Sequence, residues 1–323
     1  MSAHWQIRAA LLAFCVLTYV SAADDANHSS ALPTYRSSVT EVRVTFFATD
    51  ENNGSVGTLS QSDFAVVDGE RVIRKFRSFT HSDETSLAVV ALVDLSDSVA
   101  PRYRVAMNDV LQLVAREQSM PDDSISVLSF GGTPAGTPAG LRPAILCSSG
   151  CGTPDSVSRL QAVKSSGSTP LFDALIFGAD YIAHHRRTGV RPVVILFSDG
   201  NDTISLHSAR DALQAVRDAG VLIYSVDLGG SRKQASYQSA GSTFLQQLSD
   251  ASGGRYFSPR LSEHDGAAAV LNAVLEDLRA SYVVAYEVPS HEAGFHALRV
   301  MPTHNLNLTF HSRNGYYYDP SPR

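Results

Sequence analysis

Cysteine, basic charge and long apolar stretches are all scarce in this chain. Its 323 residues include 3 cysteines, and 26 lysines and arginines face 32 acidic residues, which gives a net charge of -6. With no basic excess to neutralise phosphates, the composition argues against a nucleic-acid partner. The apolar fraction of 44% and the charged fraction of 18% are ordinary for a globular protein. A folded protein is therefore more compatible with the composition than a disordered chain.

The pronounced apolar stretch lies at the very start of the chain. Residues 1–23 carry Arg8, an apolar run at 9–20 and three small residues at 21–23. This is the pattern of a cleaved secretory signal, and the run is too short to span a bilayer as a helix. We predict a secreted or periplasmic protein with a flexible leader at 24–35 and no transmembrane segment once the signal is removed.

Removal of the signal also removes Cys15 and leaves Cys147 and Cys151. An even pair of cysteines in an exported protein favours a disulfide, which here would close a tight loop. Two free thiols are the alternative, because a bridge over so short a separation has strict geometric demands.

An apolar strand that runs straight into oxygen-bearing side chains is the most informative stretch. Residues 89–98 read Val-Val-Ala-Leu-Val-Asp-Leu-Ser-Asp-Ser. An unbroken aliphatic run indicates a strand buried on both faces of a parallel sheet, where chemistry belongs at the carboxyl end. Asp94, Ser96 and Ser98 offer only hard oxygen donors, which suit magnesium, manganese or calcium rather than zinc.

Two later stretches end in the same kind of donor. Thr169 stands before a helical pattern, with Gly167 and Pro170 fixing the turn. Asp199 follows a second aliphatic run at 193–197 and leads into a glycine turn. Each donor also has a local explanation, in which the serines begin a helix, the threonine caps one and the aspartate belongs to an Asp-Gly turn.

The three loops, in this order, resemble the von Willebrand factor type A domain and its metal-ion-dependent adhesion site. The family signature is Asp-x-Ser-x-Ser, then a threonine, then an aspartate after a hydrophobic strand. The matching positions are Asp94, Ser96, Ser98, Thr169 and Asp199. The resemblance implies that the hydroxyls bind Mg²⁺, or Mn²⁺ or Ca²⁺, directly, while the aspartates often act through water.

The same resemblance implies a protein-binding or adhesion module whose partner presents an acidic side chain. Because hydroxyl ligands are neutral, the ion keeps positive charge and an open position for that carboxylate. Residues at the rim of the site are expected to be Asp97, Asn201 and Asp202. Asp97 adds negative charge, which would tighten the metal while repelling an acidic partner.

Enzymatic function is not predicted. The sequence contains no Gly-x-Ser-x-Gly or His-Glu-x-x-His motif, and its histidines are scattered. A metal-dependent hydrolase is the alternative, since an open magnesium ion can activate water, but no positioned general base is evident. A structural scaffold with a non-functional metal site is the second alternative.

The fold class follows from the alternation of patterns. Residues 85–281 alternate strand and helix, which predicts a doubly wound, mostly parallel sheet with helices on both faces. Residues 36–82 and 282–323 show the period of strands, and neither has enough of them for a stable sheet. We predict that the two flanks form one β-sandwich into which the α/β domain is inserted.

Short motifs in the flanks resemble a bacterial subgroup of exported type A proteins. They are the Asp63-Phe64 pair and the closing Arg-Asn-Gly-Tyr-Tyr at 313–317. Within the α/β region, residues 131–140 repeat Gly-Thr-Pro-Ala, which predicts a surface loop.

Overall fold

The computed structural model describes residues 41–82, 86–117, 123–131, 143–187, 189–229, 239–258, 266–290 and 292–318. The predicted signal at 1–23, the leader at 24–35 and nearly all of the repetitive loop at 131–140 lie outside these ranges. The boundaries proposed for the domains therefore stay predictions, and the description below concerns the elements between them.

The described elements alternate between strand and helix through the α/β region and are strands in the flanks, as the sequence patterns predict. The strands are β1 (Glu41–Thr49), β2 (Phe64–Asp68), β3 (Arg71–Ile73), β4 (Ser78–His81), β5 (Leu87–Asp94), β6 (Ser124–Phe130), β7 (Ala144–Cys147), β8 (Arg191–Ser198), β9 (Leu222–Asp227), β10 (Tyr256–Phe257), β11 (Tyr282–Glu287), β12 (Gly294–Pro302), β13 (Thr309–Ser312) and β14 (Gly315–Tyr318). The helices are α1 (Tyr103–Ala115), α2 (Pro154–Ala162), α3 (Leu171–His185), α4 (Ala209–Ala219), α5 (Ala240–Ser252) and α6 (Gly266–Arg279). A short 3₁₀ helix covers Asp97–Val99.

A six-stranded sheet with the order β10-β9-β8-β5-β6-β7 forms the centre of the α/β region. All neighbouring strands are parallel except β6 and β7. Every residue of β5, β8 and β9 is buried, which explains why these strands have no polar alternation. The predicted doubly wound, mostly parallel sheet is confirmed.

Helices cover both faces of this sheet, and β5 shows how the faces are divided. Val89, Ala91 and Val93 pack with residues of α1, α2 and α6, whereas Val90 and Leu92 pack with residues of α3, α4 and α5. Successive strand residues point to opposite faces, so one aliphatic strand serves two cores. No helix in the described part has the length and apolar content needed to cross a membrane.

The prediction missed β7 and α2. The first two residues of β7, Ala144 and Ile145, are exposed, and α2 buries only Ser156 and Leu160. Neither segment therefore has the apolar period from which a strand or helix can be recognised.

The two flanks form the predicted β-sandwich. One sheet has the order β13-β1-β11-β4 and the other β14-β12-β2-β3, so each combines strands from both flanks. Apolar residues of the two sheets share one core, which includes Val44, Val66, Val284 and Val300. Strands β4 and β11, which lead into and out of the α/β region, pair with each other, with Tyr282 opposite His81. Inserting the α/β region here therefore leaves the sandwich continuous.

Strand β1 forms the contact between the sandwich and the α/β region, which is called the seam below. Phe46 lies in the sandwich core, whereas Phe47 points the other way and packs with the core of the α/β region. The Phe47 ring stacks on His311, with 4.6 Å between ring centroids, and approaches Tyr224 of β9 at 6.4 Å. The alternation of a single strand thus joins the two cores.

Cys147 ends β7 and Cys151 precedes α2. Their Cα atoms are 5.7 Å apart and their sulfur atoms 2.12 Å apart. The Cα separation lies in the usual range of bridged cysteines. Formation of the disulfide in the exported protein stays a prediction.

The buried ring of His311 makes the stability of the seam depend on pH. Desolvation lowers its pKa to about 4, and its Nε2 lies 3.0 Å from the Thr49 hydroxyl. The unfolded chain binds a proton at the ordinary pKa of about 6.5, whereas the folded protein resists protonation until about 4. Acidification through this window should therefore favour unfolding.

We expect the free energy of unfolding of the wild type to fall relative to His311→Gln as pH decreases from 6.5 to 4. Urea denaturation of both proteins at several pH values measures this difference, in which the contributions of other groups cancel. A difference that stays constant over the whole window would contradict the assignment.

Candidate functional site

Three loops meet at the end of the central sheet where its parallel strands terminate, which is called the carboxyl edge below. The first follows β5 and carries Asp94, Ser96 and Ser98, and the second precedes α3 and carries Thr169. The third follows β8 and carries Asp199. Because β5 and β8 are adjacent and parallel, their last residues lie side by side.

Hydrogen bonds fasten the second loop to the first. The Asp97 amide donates to the Gly167 carbonyl at 3.0 Å, and the Ser166 amide donates to the Leu95 carbonyl at 2.6 Å. The Ser165 hydroxyl donates to the Ser96 carbonyl at 2.7 Å. These bonds determine the position of the backbone on both sides of the serine donors.

Gly131, which directly follows β6, packs against the backbone of the first and second loops. Its φ of +69° is one that other residues rarely adopt, and a Cβ there would lie 2.9 Å from the Ser96 nitrogen and 3.0 Å from the Ser168 oxygen. Only glycine lets the first two loops approach this strand so closely.

The third loop is bonded to both of the others. The Ser198 hydroxyl donates to Asp94 Oδ2 at 2.7 Å. The Thr169 amide donates to the Thr203 hydroxyl at 2.8 Å, and the Thr203 amide donates to the Thr169 carbonyl at 2.8 Å. The three loops therefore form one hydrogen-bonded unit with the predicted donors at its centre.

Asp94 is the buried acid of this unit. Its exposure is 0%, and its other oxygen, Oδ1, accepts from the Ser96 amide at 2.8 Å. Desolvation raises the pKa of Asp94 to about 6, and the charge of Asp199 acts in the same direction. No basic side chain in the described ranges forms an ion pair with it. A buried carboxylate beside a second acid favours a cation as its partner.

Two of the three hydroxyl donors do not cap a helix. The oxygens of Ser96 and Ser98 lie 3.1 Å apart. Ser96 precedes the 3₁₀ helix, yet its side chain makes no capping bond, and the N-cap of α3 is Pro170 rather than Thr169. The capping explanation therefore fails for Ser96 and Thr169.

Asp199 has a partly local role. Its Oδ1 accepts from the Asn201 amide at 3.0 Å, which is the bonding of a turn. The glycine that follows it, Gly200, has a φ of +76°. The turn directs the chain away from the edge while Asp199 stays close enough to raise the pKa of Asp94.

The predicted rim residues differ in their surroundings. Asp97 and Asn201 are exposed beside the loops. The Asp202 carboxylate instead accepts from the Ser205 hydroxyl at 2.5 Å and from the Phe172 amide at 3.3 Å. Asp202 thus ties the third loop to the first turn of α3.

Sequence reasoning missed two contributors to this edge. Ser198 donates to Asp94, and Thr203 is bonded to the backbone of Thr169. Ser198 ends an aliphatic strand directly before Asp199, and this position could have indicated a role at the site. Nothing in the sequence indicates that Thr203 reaches back to the second loop.

The donor chemistry fits a hard divalent cation. In the described part of the chain, no three His, Cys, Asp or Glu side chains gather where they can hold a metal. The donors at this edge are instead two carboxylates and three hydroxyls, which is an all-oxygen set.

The profile of the von Willebrand factor type A domain matches residues 88–263. This match covers more than half of the chain and all three loops, and the chain belongs to the von Willebrand factor type A family. Domains of this family are typically protein-interaction modules, and many depend on a metal. No curated protein matches the chain at a significant level.

Solved structures with a similar fold come from several bacteria. An aerotolerance-related membrane protein from Bacteroides fragilis has 13% identity and a TM-score of 0.43, with 60% of this chain and 98% of that chain covered. BatB from Bacteroides thetaiotaomicron has 13% identity and a TM-score of 0.42, with 59% and 98% covered. The pilus adhesin SpaC from Lactobacillus rhamnosus GG has 9% identity and a TM-score of 0.46, with 84% and 47% covered. At these values the likenesses do not indicate what this chain binds.

The burial of Asp94 predicts an unusual effect of its neutralisation. In metal-free buffer at pH 7.5, Asp94→Asn should increase the free energy of unfolding by about 1–3 kcal/mol, because it removes a desolvated charge beside Asp199. An amide can keep hydrogen bonds to the Ser96 amide and the Ser198 hydroxyl. Urea denaturation measures the change.

The exposed Asp97→Asn is the matched control and should change stability by less than about 0.5 kcal/mol. A metal-free Asp94→Asn protein that is less stable than the wild type would show that Asp94 is an internal structural acid and needs no cation.

Proposed function

We propose that this protein is an exported, metal-ion-dependent protein-binding module. Its metal ligands would be Asp94, Ser96, Ser98, Thr169 and Asp199, with Mg²⁺ as the first choice and Mn²⁺ or Ca²⁺ as substitutes. Its partner would be a protein that presents an acidic side chain.

The observation that carries the proposal is the buried Asp94 carboxylate. It has no ion pair among the described residues, and it lies among hydroxyls on three mutually bonded loops. A bound divalent cation would compensate the two acids and leave a coordination position for a partner's carboxylate.

Each residue of the site contributes a distinct physical property. Asp94 supplies charge inside the protein, where an ion pair is weakly screened. The neutral hydroxyls of Ser96, Ser98 and Thr169 add ligands without adding charge. Ser198 and Thr203 hold Asp94 and Thr169 at 2.7 Å and 2.8 Å, so little reorganisation would be needed on binding.

The surface around the loops would determine which partner is accepted. Asp97 and Asn201 are exposed polar groups there, and Ile204 and Leu206 are exposed apolar ones. An acidic anchor flanked by an apolar side chain would match both kinds of surface.

One carboxylate at this edge, that of Asp227, is not free to act as the base of the hydrolase alternative. Asp227, which ends β9, accepts from the Ser242 hydroxyl at 2.6 Å, the Tyr256 hydroxyl at 2.6 Å and the Gly229 amide at 2.7 Å. Its carboxylate is therefore engaged in holding α5 and β10, which favours the binding function.

Export is proposed from the signal pattern at 1–23. The cysteine pair at the end of β7 would then form its bridge in an oxidising compartment, either the periplasm or the exterior.

The open coordination position can be tested with Mn²⁺ as a paramagnetic probe. Water-proton relaxation should be enhanced when Mn²⁺ binds the mature protein. Adding a short peptide with one glutamate beside a leucine should reduce that enhancement in a saturable manner, because its carboxylate replaces a coordinated water.

The matched peptide with glutamine in place of glutamate should leave the relaxation unchanged. Enhancement that neither peptide reduces would contradict an open position and favour a closed structural ion. Turnover of a generic phosphoester that disappears in Asp94→Ala would instead establish the hydrolase alternative.

A further inference from the structure

A cavity of about 690 Å³ lies at the end of the sheet opposite the candidate metal loops. Its walls include Arg191 and Leu222, the first residues of β8 and β9, and Val283 of β11. The sandwich contributes Val283 together with Thr45 of β1. The cavity therefore occupies the junction between the α/β region and the sandwich.

The lining of this cavity is strongly basic. Six arginines line it, namely Arg43, Arg186, Arg187, Arg191, Arg217 and Arg313. None of the described residues that line it is acidic. Such a concentration of positive charge is unexpected in a protein with a net charge of -6, and it is not a consequence of general basicity.

Structural contacts hold at least three of these arginines in place, and one of them is Arg217, whose guanidinium lies 5.5 Å from the centre of the Phe295 ring. The Arg191 guanidinium is buried and donates to Ser82, Ser281 and the Leu278 carbonyl, where it fastens β8 to the sandwich. Arg313 donates to the Arg43 carbonyl at 2.9 Å and lies 5.6 Å from the centre of the Tyr316 ring.

The negative ends of two helix dipoles offset part of the positive charge of these arginines. Arg186 is the C-cap of α3, and Arg217 lies in the last turn of α4, where basic residues complement the helix dipole. Each helix end supplies only about half a negative charge. The ion pair of Arg43 with Glu41 offsets one more charge, and the Asp68 carboxylate lies close enough to act on the Arg313 guanidinium.

Two of the arginines also have a hydrogen-bond donor that is not used. The Nε groups of Arg217 and Arg313 are buried without a hydrogen-bond partner in the described part of the protein. A buried donor left unpaired costs about 1–3 kcal/mol. An acceptor bound in the cavity would satisfy these two donors.

We propose that this cavity binds a small, multiply charged anion that bears phosphate groups. The arginines reach the cavity from five places in the fold, on β1, after α3, at the start of β8, in α4 and before β14, and a tetrahedral phosphate accepts hydrogen bonds from several directions at once. A planar carboxylate accepts mainly within one plane. The volume is that of a small-molecule site rather than of a flat macromolecular contact.

The cavity also offers apolar walls for a ligand body. These are formed by Val190, Pro192, Val216, Val221 and Leu222. A phosphate ester with an apolar or planar part would therefore use more of the cavity than inorganic phosphate alone. The eight residues of β8 separate this cavity from the metal loops by roughly 23 Å, so the two sites are independent.

Calorimetric titration of sodium tripolyphosphate into the mature protein, in buffer with a chelator and about 150 mM salt, tests the proposal. We expect saturable binding of one equivalent. The double variant Arg186→Glu with Arg187→Glu should bind at least tenfold more weakly. Arg217→Gln, which preserves most of the side-chain volume, should also weaken binding and decides the matter if the double variant is not folded.

The matched control is Arg74→Glu with Arg299→Glu, which makes the same charge change on exposed sandwich residues that do not line the cavity. It should bind as the wild type does. Absence of saturable binding in the wild type, or an equal loss in the control, would overturn the proposal. Tighter binding of citrate than of tripolyphosphate would overturn the assignment to phosphate.

Discussion

The buried carboxylate of Asp94 is the constraint on which the carboxyl edge of the sheet depends. One oxygen accepts from the Ser96 amide and the other from the Ser198 hydroxyl, so the loops after β5 and β8 are bonded to the same side chain. The second loop is bonded to the first through the Gly167 carbonyl and to the third through the Thr203 hydroxyl. The acid is thus held by uncharged groups, and its own charge remains available to a cation. A buried charge without an ion-pair partner is costly for folding, and the proposed cation would compensate it.

The opposite end of the molecule has the reverse electrostatic character. There the strands begin, and arginines from the α/β region and from the sandwich face one cavity. The sandwich is necessary for that cavity because β1 supplies one wall. The same strand sends Phe46 into one core and Phe47 into the other, so the two parts of the protein are packed as one body. The proposed cation site and the proposed anion site would thus lie at opposite ends of one sheet.

Much of this architecture could be predicted because its signals are local. The aliphatic runs of β5 and β8 indicate buried parallel strands, and the resemblance of three short loops to one family indicates which side chains converge. The flanks could be joined because neither has enough strands alone. By contrast, β7 and α2 bury too little for a period, and the contacts of Asp202 with α3 depend on how the third loop folds back. The arginine cavity could not be predicted, since its six arginines are spread from residue 43 to residue 313 and meet only after the sandwich closes.

The central claim is that the three loops form a cation site, and calorimetric titration of Mg²⁺ into metal-stripped mature protein tests it most directly. The account predicts saturable binding at one site in the wild type and in Thr80→Ala, which removes an exposed hydroxyl from β4. It predicts loss of that binding in Thr169→Ala. Failure of the folded wild type to bind Mg²⁺ or Mn²⁺, or undiminished binding by Thr169→Ala, would contradict it.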